Sequence, residues 1–483
     1  MFWPEEGTAQ FWPLVLAIAG TVMATVASLH AVVAKRETAS VIGWVGLVWL
    51  SPILGPILYY CFGINRIQRK GQRFQKGVDR SFANDLVRSR RREQGSETDL
   101  PFGGSLASVV AHITGKPLLS GNNVRLLQGG EEAYPEMLRA IDQAEKSIGL
   151  CTYIFDNDRA GLQFIHALER AVKRGVEVRV LIDGVGSQYT KPSAVFLLAA
   201  RGVPVQTFLP TWVPRMASYA NLRNHRKLMV VDGKLAFTGG MNIRAGCRLD
   251  WESSHHVQDI HFRIEGPVVS QIQETFVTDW NFVTEEKLQG DLWFCEPERV
   301  GTIRSRGISD GPDTDLDNMR LVIMGAIASA RHRVDVVTPY FLPDDAIINA
   351  LNVAAMRGIR VRVVVPLRNN IRPVQWASMD PISHILMRGC QVYQTDPPFD
   401  HSKVFLVDDE WSLIGSSNWD PRSLRLNFEF NVECYGKELN TELSQLVERK
   451  IASARRLTLT DLRARPIFAK IRDGLARMAI PYL

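Results

Sequence analysis

Residues 225–232 read His-Arg-Lys-Leu-Met-Val-Val-Asp, and residues 401–408 read His-Ser-Lys-Val-Phe-Leu-Val-Asp. Both stretches fit the pattern His-x-Lys-x4-Asp. At the same distance after each aspartate a second pattern begins, Gly-Gly-Met-Asn at 239–242 and Gly-Ser-Ser-Asn at 415–418. Two histidines and two lysines that meet across a pseudo-twofold axis suit phosphodiester chemistry. The repeated pattern therefore indicates a duplicated enzyme.

Each motif is preceded by segments that read as strand, helix and strand. In chain order these segments are 147–155, 162–174 and 175–183, and then 334–341, 346–357 and 358–366. A helix that ends at glycine and leads into a valine-rich strand is typical of a layered α/β domain. The sequence therefore predicts two duplicated α/β domains, at 116–295 and 300–483. About 11 extra residues around 211–220 in the first half predict a loop at the rim of the active site.

The candidate catalytic residues come from the repeated motif. In a strand, residues i and i+2 point to the same face, so His-x-Lys presents an imidazole beside an ammonium. One such pair alone is most simply a surface strand, but two pairs in the same frame disfavour that interpretation. The candidates are His225, Lys227, Asp232, His401, Lys403 and Asp408. For the two aspartates, which end the strand, a structural turn role is at least as compatible as chemistry.

The glycine turn and the asparagine after each motif predict phosphate contacts. Glycine allows the backbone to approach a phosphate closely, and an asparagine amide can donate to its oxygens. The predicted phosphate-binding residues are Gly240, Asn242, Ser416 and Asn418.

The N-terminal residues 1–65 predict a transmembrane hairpin with spans at about 11–34 and 41–64, because about 20 apolar residues cross a hydrocarbon core. A cleaved signal peptide is the alternative for the first span, but Glu5 and Glu6 stand where basic residues would be expected. Pro52 and Pro56 leave a kinked or re-entrant second segment open.

Positive charge is concentrated in the residues that follow this hairpin in the sequence. The whole chain carries +6, whereas residues 66–93 hold ten Lys/Arg against three Asp/Glu, a difference of +7. Residues 66–115 therefore predict a basic juxtamembrane linker that faces anionic headgroups on the cytoplasmic side. The six cysteines are scattered without ligand spacing, which predicts neither a disulfide framework nor a metal site.

These motifs resemble the phospholipase D superfamily, and their surroundings resemble bacterial cardiolipin synthases. The resemblance rests on 223–227 with 238–242, on 415–423 with 426–429, and on the membrane portion at 43–63. It implies that one histidine forms a covalent phosphohistidine while the other protonates the departing alcohol and then activates the acceptor. It favours His225 as the nucleophile and His401 as the general acid. The lysines and asparagines would hold the phosphate oxygens, with no metal or other cofactor.

The resemblance also implies that an acid downstream of each motif orients its histidine. Glu429 matches this position after His401, and Asp259 matches it after His225. An ordinary carboxylate at the edge of a sheet is the alternative for either acid. One stretch, 244–258, departs from the aromatic-rich segment usual in the family, which leaves the acceptor less secure than the type of reaction.

We therefore expect a multi-pass enzyme of the bacterial inner membrane with cytoplasmic catalytic domains. Its partners would be phosphatidylglycerol and anionic membrane lipids, with the products cardiolipin and glycerol. Water, another alcohol or phosphatidylethanolamine remain alternative reactants, and a non-catalytic lipid-binding scaffold remains an alternative class. The hairpin argues against nucleic acid as a partner, and the oligomeric state stays open. Near the C-terminus, residues 467–478 predict an amphipathic helix, packed on the domain or lying at headgroup level.

Overall fold

The structure is a computed structural model that describes residues 6–35, 38–64, 104–209, 222–253, 255–312 and 315–478. The chain divides into two compact units, an N-terminal unit and a larger unit that carries both motifs. The basic stretch at 66–93 and the predicted rim loop at 211–220 lie outside the described residues.

The N-terminal unit consists of α1 (Glu6–Ala34), α2 (Thr38–Leu50), α3 (Leu54–Leu58) and a π-helical turn at Tyr59–Gly63. Small side chains let α1 and α2 approach closely, and the contact is formed by Ala24, Ala27, Ala31 and Val48. Among the described residues, Trp12–Ala34 is the one stretch of helix that is long and apolar enough to cross a membrane by length and composition.

The structure does not show the predicted second span at 41–64 as one continuous helix. Helix α2 has 13 residues, which at 1.5 Å per residue gives about 20 Å against the roughly 30 Å of a hydrocarbon core. Pro52 has no N–H and disfavours helical geometry at the residue before it, so the helix stops. A Cβ on Gly55 would lie 2.5 Å from the carbonyl oxygen of Leu47, so the chain folds back against α2.

The larger unit repeats one order of elements. Its first half contains α4 (Gly104–Thr114), β1 (Leu119–Gln128), α5 (Gly129–Gln143), β2 (Ser147–Thr152), α6 (Arg159–Lys173), β3 (Glu177–Asp183), α7 (Ala194–Ala199), β4 (Val205–Phe208), β5 (Leu228–Val231), β6 (Leu235–Gly239), β7 (Val257–Gln258), β8 (Ile260–Glu265) and α8 (Val269–Thr284).

The second half contains β9 (Ile303–Asp310), α9 (Asn318–Ser329), β10 (Arg333–Val337), α10 (Asp345–Met356), β11 (Arg360–Pro366), α11 (Arg372–Ala377), α12 (Met379–Leu386), β12 (Gln391–Thr395), β13 (Phe399–Asp400), β14 (Val404–Val407), β15 (Trp411–Gly415), α13 (Pro421–Arg425), β16 (Glu429–Tyr435), α14 (Lys437–Ala452), β17 (Arg455–Leu457), α15 (Leu459–Arg463) and α16 (Ile467–Met478). The strand–helix–strand prediction before each motif is confirmed to within a few residues.

One sheet runs through both halves. Its order is β17-β12-β11-β10-β14-β15-β16-β9-β1-β8-β6-β5-β2-β3-β4. Strands β1 and β9 pair antiparallel at the centre, and outward from them the two halves have the same order. The duplicated α/β fold is therefore present, and the two copies share hydrogen bonds across a pseudo-twofold axis.

Matching caps begin the helix that follows the first parallel strand of each half. Asp158 accepts hydrogen bonds from the N–H groups of Ala160 and Gly161, both at 3.0 Å, at the start of α6. Asp344 accepts from Ile347, also at 3.0 Å, at the start of α10. Such caps satisfy N–H groups that have no partner inside the helix.

Helices cover both faces of the sheet. In β2, Ile148 and Leu150 join the apolar core formed with α5 and α6. The residue between them, Gly149, faces the opposite side, where a Cβ would lie 2.5 Å from the ring of Phe276 on α8. Because successive strand residues alternate between faces, this contact places α8 on the other side of the sheet.

Two local predictions differ from the structure. The linker predicted to reach residue 115 ends earlier, because 104–114 form α4, which buries Leu106, Ala107 and Val110 in the core of the second half. The His-x-Lys residues lie immediately before β5 and β14 rather than within them. The buried apolar residues that follow form the strands and hold each motif at the strand's beginning.

Candidate active site

His225 is held between the two halves of the sheet. Its backbone N–H donates to the carbonyl of Phe428 at 2.9 Å. Its Nδ1 lies 2.9 and 3.0 Å from the two carboxylate oxygens of Glu429, which belongs to the second half. Because a carboxylate only accepts, Nδ1 carries the proton and Nε2 keeps its lone pair.

His401 has the matching arrangement with the roles of the halves exchanged. Its N–H donates to the carbonyl of Gln258 at 2.7 Å, and its Nδ1 donates to Asp259 Oδ2 at 2.7 Å. The side chains of both histidines keep 11% of their surface accessible, whereas those of Asp259 and Glu429 keep 1% or less. The histidines can thus meet a substrate, and the acids cannot.

The pairing predicted within each half is therefore wrong. Glu429 contacts His225 instead of His401, and Asp259 contacts His401 instead of His225. The reason lies in the central strands. Strands β1 and β9 pair antiparallel at the centre of the sheet, and β8 and β16 each begin beside the motif of the other half.

Arg226, the middle residue of the first motif, strengthens this crossing. Its Nε donates to the carbonyl of Glu429 at 2.9 Å, and another guanidinium nitrogen donates to Ser309 Oγ at 2.6 Å. It also pairs with the buried Asp279. The guanidinium therefore ties the first motif to β16 and β9 of the second half.

Burial sets the protonation of the histidines. Desolvation lowers the pKa of His225 to about 4, although the neighbouring Glu429 opposes this shift. The pKa of His401 is also lowered by desolvation and by Lys403, against the opposing effect of Asp259. Both imidazoles are consequently neutral at pH 7, the state needed for a nucleophile.

The two acids stay ionised despite their burial. Burial opposes the charge of Glu429, but His225, Lys227 and the hydroxyl of Ser416 outweigh it and hold its pKa below the ordinary value. Lys403 and His401 do the same for Asp259. The charges of each motif therefore act on the acid that serves it, although that acid belongs to the other half of the chain.

The two lysines are buried beside their histidines. Lys227 Nζ donates to the carbonyl of His225 at 2.5 Å, and Lys403 Nζ donates to that of His401 at 2.5 Å. Desolvation lowers the pKa of Lys227 to about 7, with Lys403 adding to the shift, and desolvation also lowers the pKa of Lys403. A bound phosphodiester anion would favour the charged form of both.

The asparagines differ in how they are held. Asn242 Oδ1 accepts from the N–H of Ile154 at 3.1 Å, which fixes the amide plane. Asn418 Oδ1 is buried without a hydrogen-bond partner among the described residues. A buried polar atom in this state costs free energy, which a bound ligand or water would recover.

Gly240 and Ser416 have contacts different from the predicted phosphate binding. Their backbone N–H groups donate to the carbonyls of Ile260 and Phe430. The Ser416 hydroxyl donates to Glu429 Oε2 at 2.6 Å, and a Cβ on Gly240 would lie 2.4 Å from Asp259 Oδ1. Both residues therefore position the two acids, one by a hydrogen bond and one by leaving space.

The placement of Asp232 and Asp408 contradicts a catalytic role. Each follows a four-residue strand that begins next to the motif lysine, so each lies at the far end of that strand. Asp232 accepts from the N–H groups of residues 145–147 at 2.7–3.0 Å, and Asp408 accepts from those of residues 331–333 at 2.7–2.9 Å. They brace the chain that enters β2 and β10.

We expect Asp408→Asn to lower stability and leave turnover per folded molecule unchanged. The amide has one oxygen in place of two, so charge-assisted bonds to the backbone are lost, at about 1–3 kcal/mol. Thermal unfolding and specific activity of the folded fraction would be measured together. The exposed neighbour Asp409 gives a matched control, Asp409→Asn, with an expected cost below about 1 kcal/mol. A loss of turnover without a loss of stability would restore the catalytic role.

Aromatic side chains that the sequence analysis did not assign lie beside each histidine. The ring centroid of Tyr153 is 5.2 Å from that of His225, and Lys227 Nζ is 5.6 Å from the same tyrosine ring. The rings of Tyr340 and Phe399 lie 6.1 and 5.8 Å from His401. A Thr-x-x-Phe spacing at 152–155 and again at 338–341 is a signal that would have placed both tyrosines after equivalent strands.

Comparison with known proteins agrees with this geometry. A family described as "Cardiolipin synthase, PLD-like domain" matches residues 137–280 and 323–451, and one described as "Phospholipase_D-nuclease N-terminal" matches 22–63. The chain is 32% identical to a cardiolipin synthase of Alkalihalophilus pseudofirmus, covering 93% of this chain and 90% of that protein. It is 31% identical to cardiolipin synthase 1 of Staphylococcus epidermidis, covering 93% of each.

A solved structure shows the same fold. Phosphatidylserine synthase of Haemophilus influenzae superposes with a TM-score of 0.61 at 16% identity, covering 78% of this chain and all of that one. At this identity the likeness concerns the fold of the duplicated α/β unit.

Proposed function

Because this chain belongs to the family of cardiolipin synthases with phospholipase D-like domains, we propose that it joins two phosphatidylglycerol molecules into cardiolipin and releases glycerol. The observation that carries the proposal is the crossed pair of His–acid contacts, which engages Nδ1 of both imidazoles and leaves both Nε2 atoms for the reaction. An enzyme of the phospholipid transferase type needs one of them as nucleophile and the other as acid and base.

In the first step, His225 Nε2 attacks the phosphorus of one phosphatidylglycerol. The bond from phosphorus to the headgroup glycerol breaks. His401 enters this step as the imidazolium, which the bound phosphodiester anion favours, and gives its Nε2 proton to the departing oxygen. The lysines, with Asn242 and Asn418, hold the non-bridging oxygens as charge develops. The product of this step is a phosphatidyl group bound to His225, with glycerol released.

In the second step, the glycerol hydroxyl of another phosphatidylglycerol reacts. His401 Nε2 takes the hydroxyl proton while the oxygen attacks phosphorus and the bond from phosphorus to nitrogen breaks. Both histidines return to their starting protonation, so the cycle balances. Glu429 stabilises the positive charge that forms on His225 when its ring is phosphorylated, because its carboxylate accepts the Nδ1 proton.

A second candidate keeps the chemistry and changes the acceptor or the donor. The segment 244–258, which departs from the usual family sequence, ends in β7, and β7 pairs with β13 immediately before His401. The backbone contact from His401 to Gln258 makes this segment a neighbour of the general acid. Water would then replace the second phosphatidylglycerol as the acceptor, or phosphatidylethanolamine would replace the first as the donor of the phosphatidyl group, with release of ethanolamine.

Purified protein supplied with phosphatidylglycerol alone distinguishes these candidates. We expect equimolar cardiolipin and glycerol, measured by mass spectrometry of the lipids and by an enzymatic glycerol assay. Phosphatidic acid as the only product would contradict the synthase. Cardiolipin that appears only after phosphatidylethanolamine is added would establish the second candidate, and no turnover with either would favour a lipid-binding scaffold.

For location, we propose that residues 1–65 hold the catalytic unit at the inner face of a bacterial membrane. The exposed apolar side chains of α1, including Leu16, Ile18, Val22 and Val26, support membrane insertion. The repeat boundaries that we propose, 116–295 and 300–483, are supported by a separate apolar core for each half. Labelling of introduced cysteines from either side of intact inner-membrane vesicles would test the orientation.

A further inference from the structure

Helix α16 packs on the second half through its polar side. Asp473 is buried and pairs with Arg465 at 2.6 Å and Arg472 at 2.8 Å. Ala476, three residues after Asp473 on the same side of α16, packs with the small apolar cluster of Leu342, Val374 and Ala377. The side of α16 that meets the protein therefore consists of small residues and one neutralised carboxylate.

The opposite side of α16 is apolar and exposed. The exposed fractions are 63% for Ile467, 82% for Phe468, 53% for Ile471, 63% for Leu475 and 77% for Met478. At about 100° per residue these five side chains fall within an arc of roughly 100°. A helix that served only to cover the domain would turn this stripe inward, so the stripe has another partner.

Basic residues flank the stripe on both sides. Arg472 lies at one edge of the arc, and Lys470 and Arg477 lie beyond the other edge. From 455 to 478 the chain has seven Lys/Arg and two Asp/Glu, a difference of +5. The two acids, Asp461 and Asp473, are already paired with arginines of the same segment. An apolar stripe between cations is the pattern of a helix that lies in the headgroup region of an anionic membrane.

The protein-facing side of α16, opposite the stripe, is linked by packing contacts to the active site. Tyr340 packs against the same small cluster as Ala476, and its ring also faces His401. Arg472 on α16 stacks 4.5 Å above the ring of Trp376 on α11, which further fixes the helix. A surface that contacted the stripe would therefore be separated from this chain of contacts by the thickness of α16, about 10 Å.

We propose that α16 docks on the surface of a phospholipid bilayer that contains anionic lipid, with the stripe from Ile467 to Met478 among the acyl chains and its cations at headgroup level. This second attachment lies on the catalytic unit itself and is separate from the N-terminal helices. It brings the side of the site formed by Tyr340 and His401 to the lipid from which a phosphatidyl substrate is drawn.

The position of the stripe can be measured without turnover. In the full chain, Cys61 and Cys295 would be replaced by serine and Phe468 by cysteine. An environment-sensitive fluorophore would be attached to the new cysteine, and the protein would be placed in nanodiscs of zwitterionic phospholipid with added anionic phospholipid. Cys61 and Cys295 are the half-buried cysteines, and the other four are buried. Phe196→Cys on α7, where the native side chain is 64% exposed, is the matched control.

We expect the label at 468 to be quenched by spin-labelled lipid and protected from iodide, and the label at 196 to show the reverse. Quenching by iodide at 468 would overturn docking. Protection from both quenchers would show that another part of the chain or a second copy covers the stripe, which also overturns it. Because the assay needs no reaction, failure of the proposed synthase activity would leave this result intact.

A triple variant tests the consequence for activity. Phe468→Gln, Ile471→Gln and Leu475→Gln together remove most of the stripe, and turnover on anionic vesicles should fall by about tenfold. The matched control replaces Phe196, Val353 and Met356, which are equally exposed apolar residues, by glutamine. Both proteins should unfold at the same temperature as the parent. Equal rates for the two triple variants on vesicles would contradict docking.

Discussion

His225→Ala and His401→Ala are each expected to reduce cardiolipin formation by on the order of 10⁴-fold or more, because catalytic groups that act as a unit fail together. The surface variant His384→Ala, on α12, should retain the parental rate. Circular dichroism and thermal unfolding would show that each variant is folded. Cardiolipin formation within tenfold of the parent after either active-site replacement would contradict the two-histidine mechanism.

The same two variants separate nucleophile from general acid. When His401 is absent and His225 remains, the phosphatidyl group can still be transferred to His225 slowly, whereas its removal lacks a base. We therefore expect an acid-labile phosphatidyl adduct on a peptide containing His225 in His401→Ala, and none in His225→Ala. An adduct on His401 in His225→Ala would exchange the two roles and leave the rest of the mechanism in place.

Glu429→Gln and Asp259→Asn are expected to lower turnover by roughly 10²- to 10⁴-fold, because each removes the carboxylate that orients a catalytic imidazole and stabilises its positively charged form. Each replacement should impair the histidine that belongs to the other half of the chain. Glu429→Gln, in the second half, should impair the step that uses His225, and Asp259→Asn should impair the step that uses His401. Each acid thus provides the control for the other.

The pKa values of the two histidines distinguish an acid that acts on their protonation from an acid that only supports the fold. The carboxylate of Glu429 raises the pKa of His225 against desolvation, so its removal should move that pKa further below about 4. Selective labelling of the histidine Cε1 positions would follow both titrations by NMR. The acid limb of kcat/KM should move to lower pH, since less acid is then needed to keep the nucleophile neutral. A shift confined to His401 after Glu429→Gln would contradict the crossed pairing.

Tertiary context explains why the segment 41–64 is not one continuous helix. Its apolar composition is sufficient by length for a span, and Pro52 and Pro56 left a kinked or re-entrant segment open, but the sequence alone does not show that α2 stops at Leu50. The stop depends on Pro52 together with the close approach of Gly55 to the α2 backbone. Apolar composition indicates that a segment is long enough to cross a membrane. An unbroken helix also requires each backbone N–H to donate within the helix, which proline cannot do.

The same contrast holds inside the motif. The repeated spacing selected six residues, and the sequence left a turn role for the two aspartates at least as compatible as chemistry. The structure favours the turn role, because both carboxylates accept backbone N–H groups at the end of the strand away from the lysine. Tyr153 and Tyr340 were not assigned because ring contacts depend on how the end of a strand turns toward the site. The roles of Gly240 and Ser416 depend on the strand beside them.

The sequence by itself determined the duplicated α/β architecture, the family and the identity of the histidines, lysines and acids, because local spacing and apolar periodicity are properties of short segments. Only the tertiary structure decided which acid serves which histidine. That choice depends on β1 pairing with β9 at the centre of one sheet, a contact between segments far apart in the chain. The pairing turns two similar halves into one site in which each completes the other.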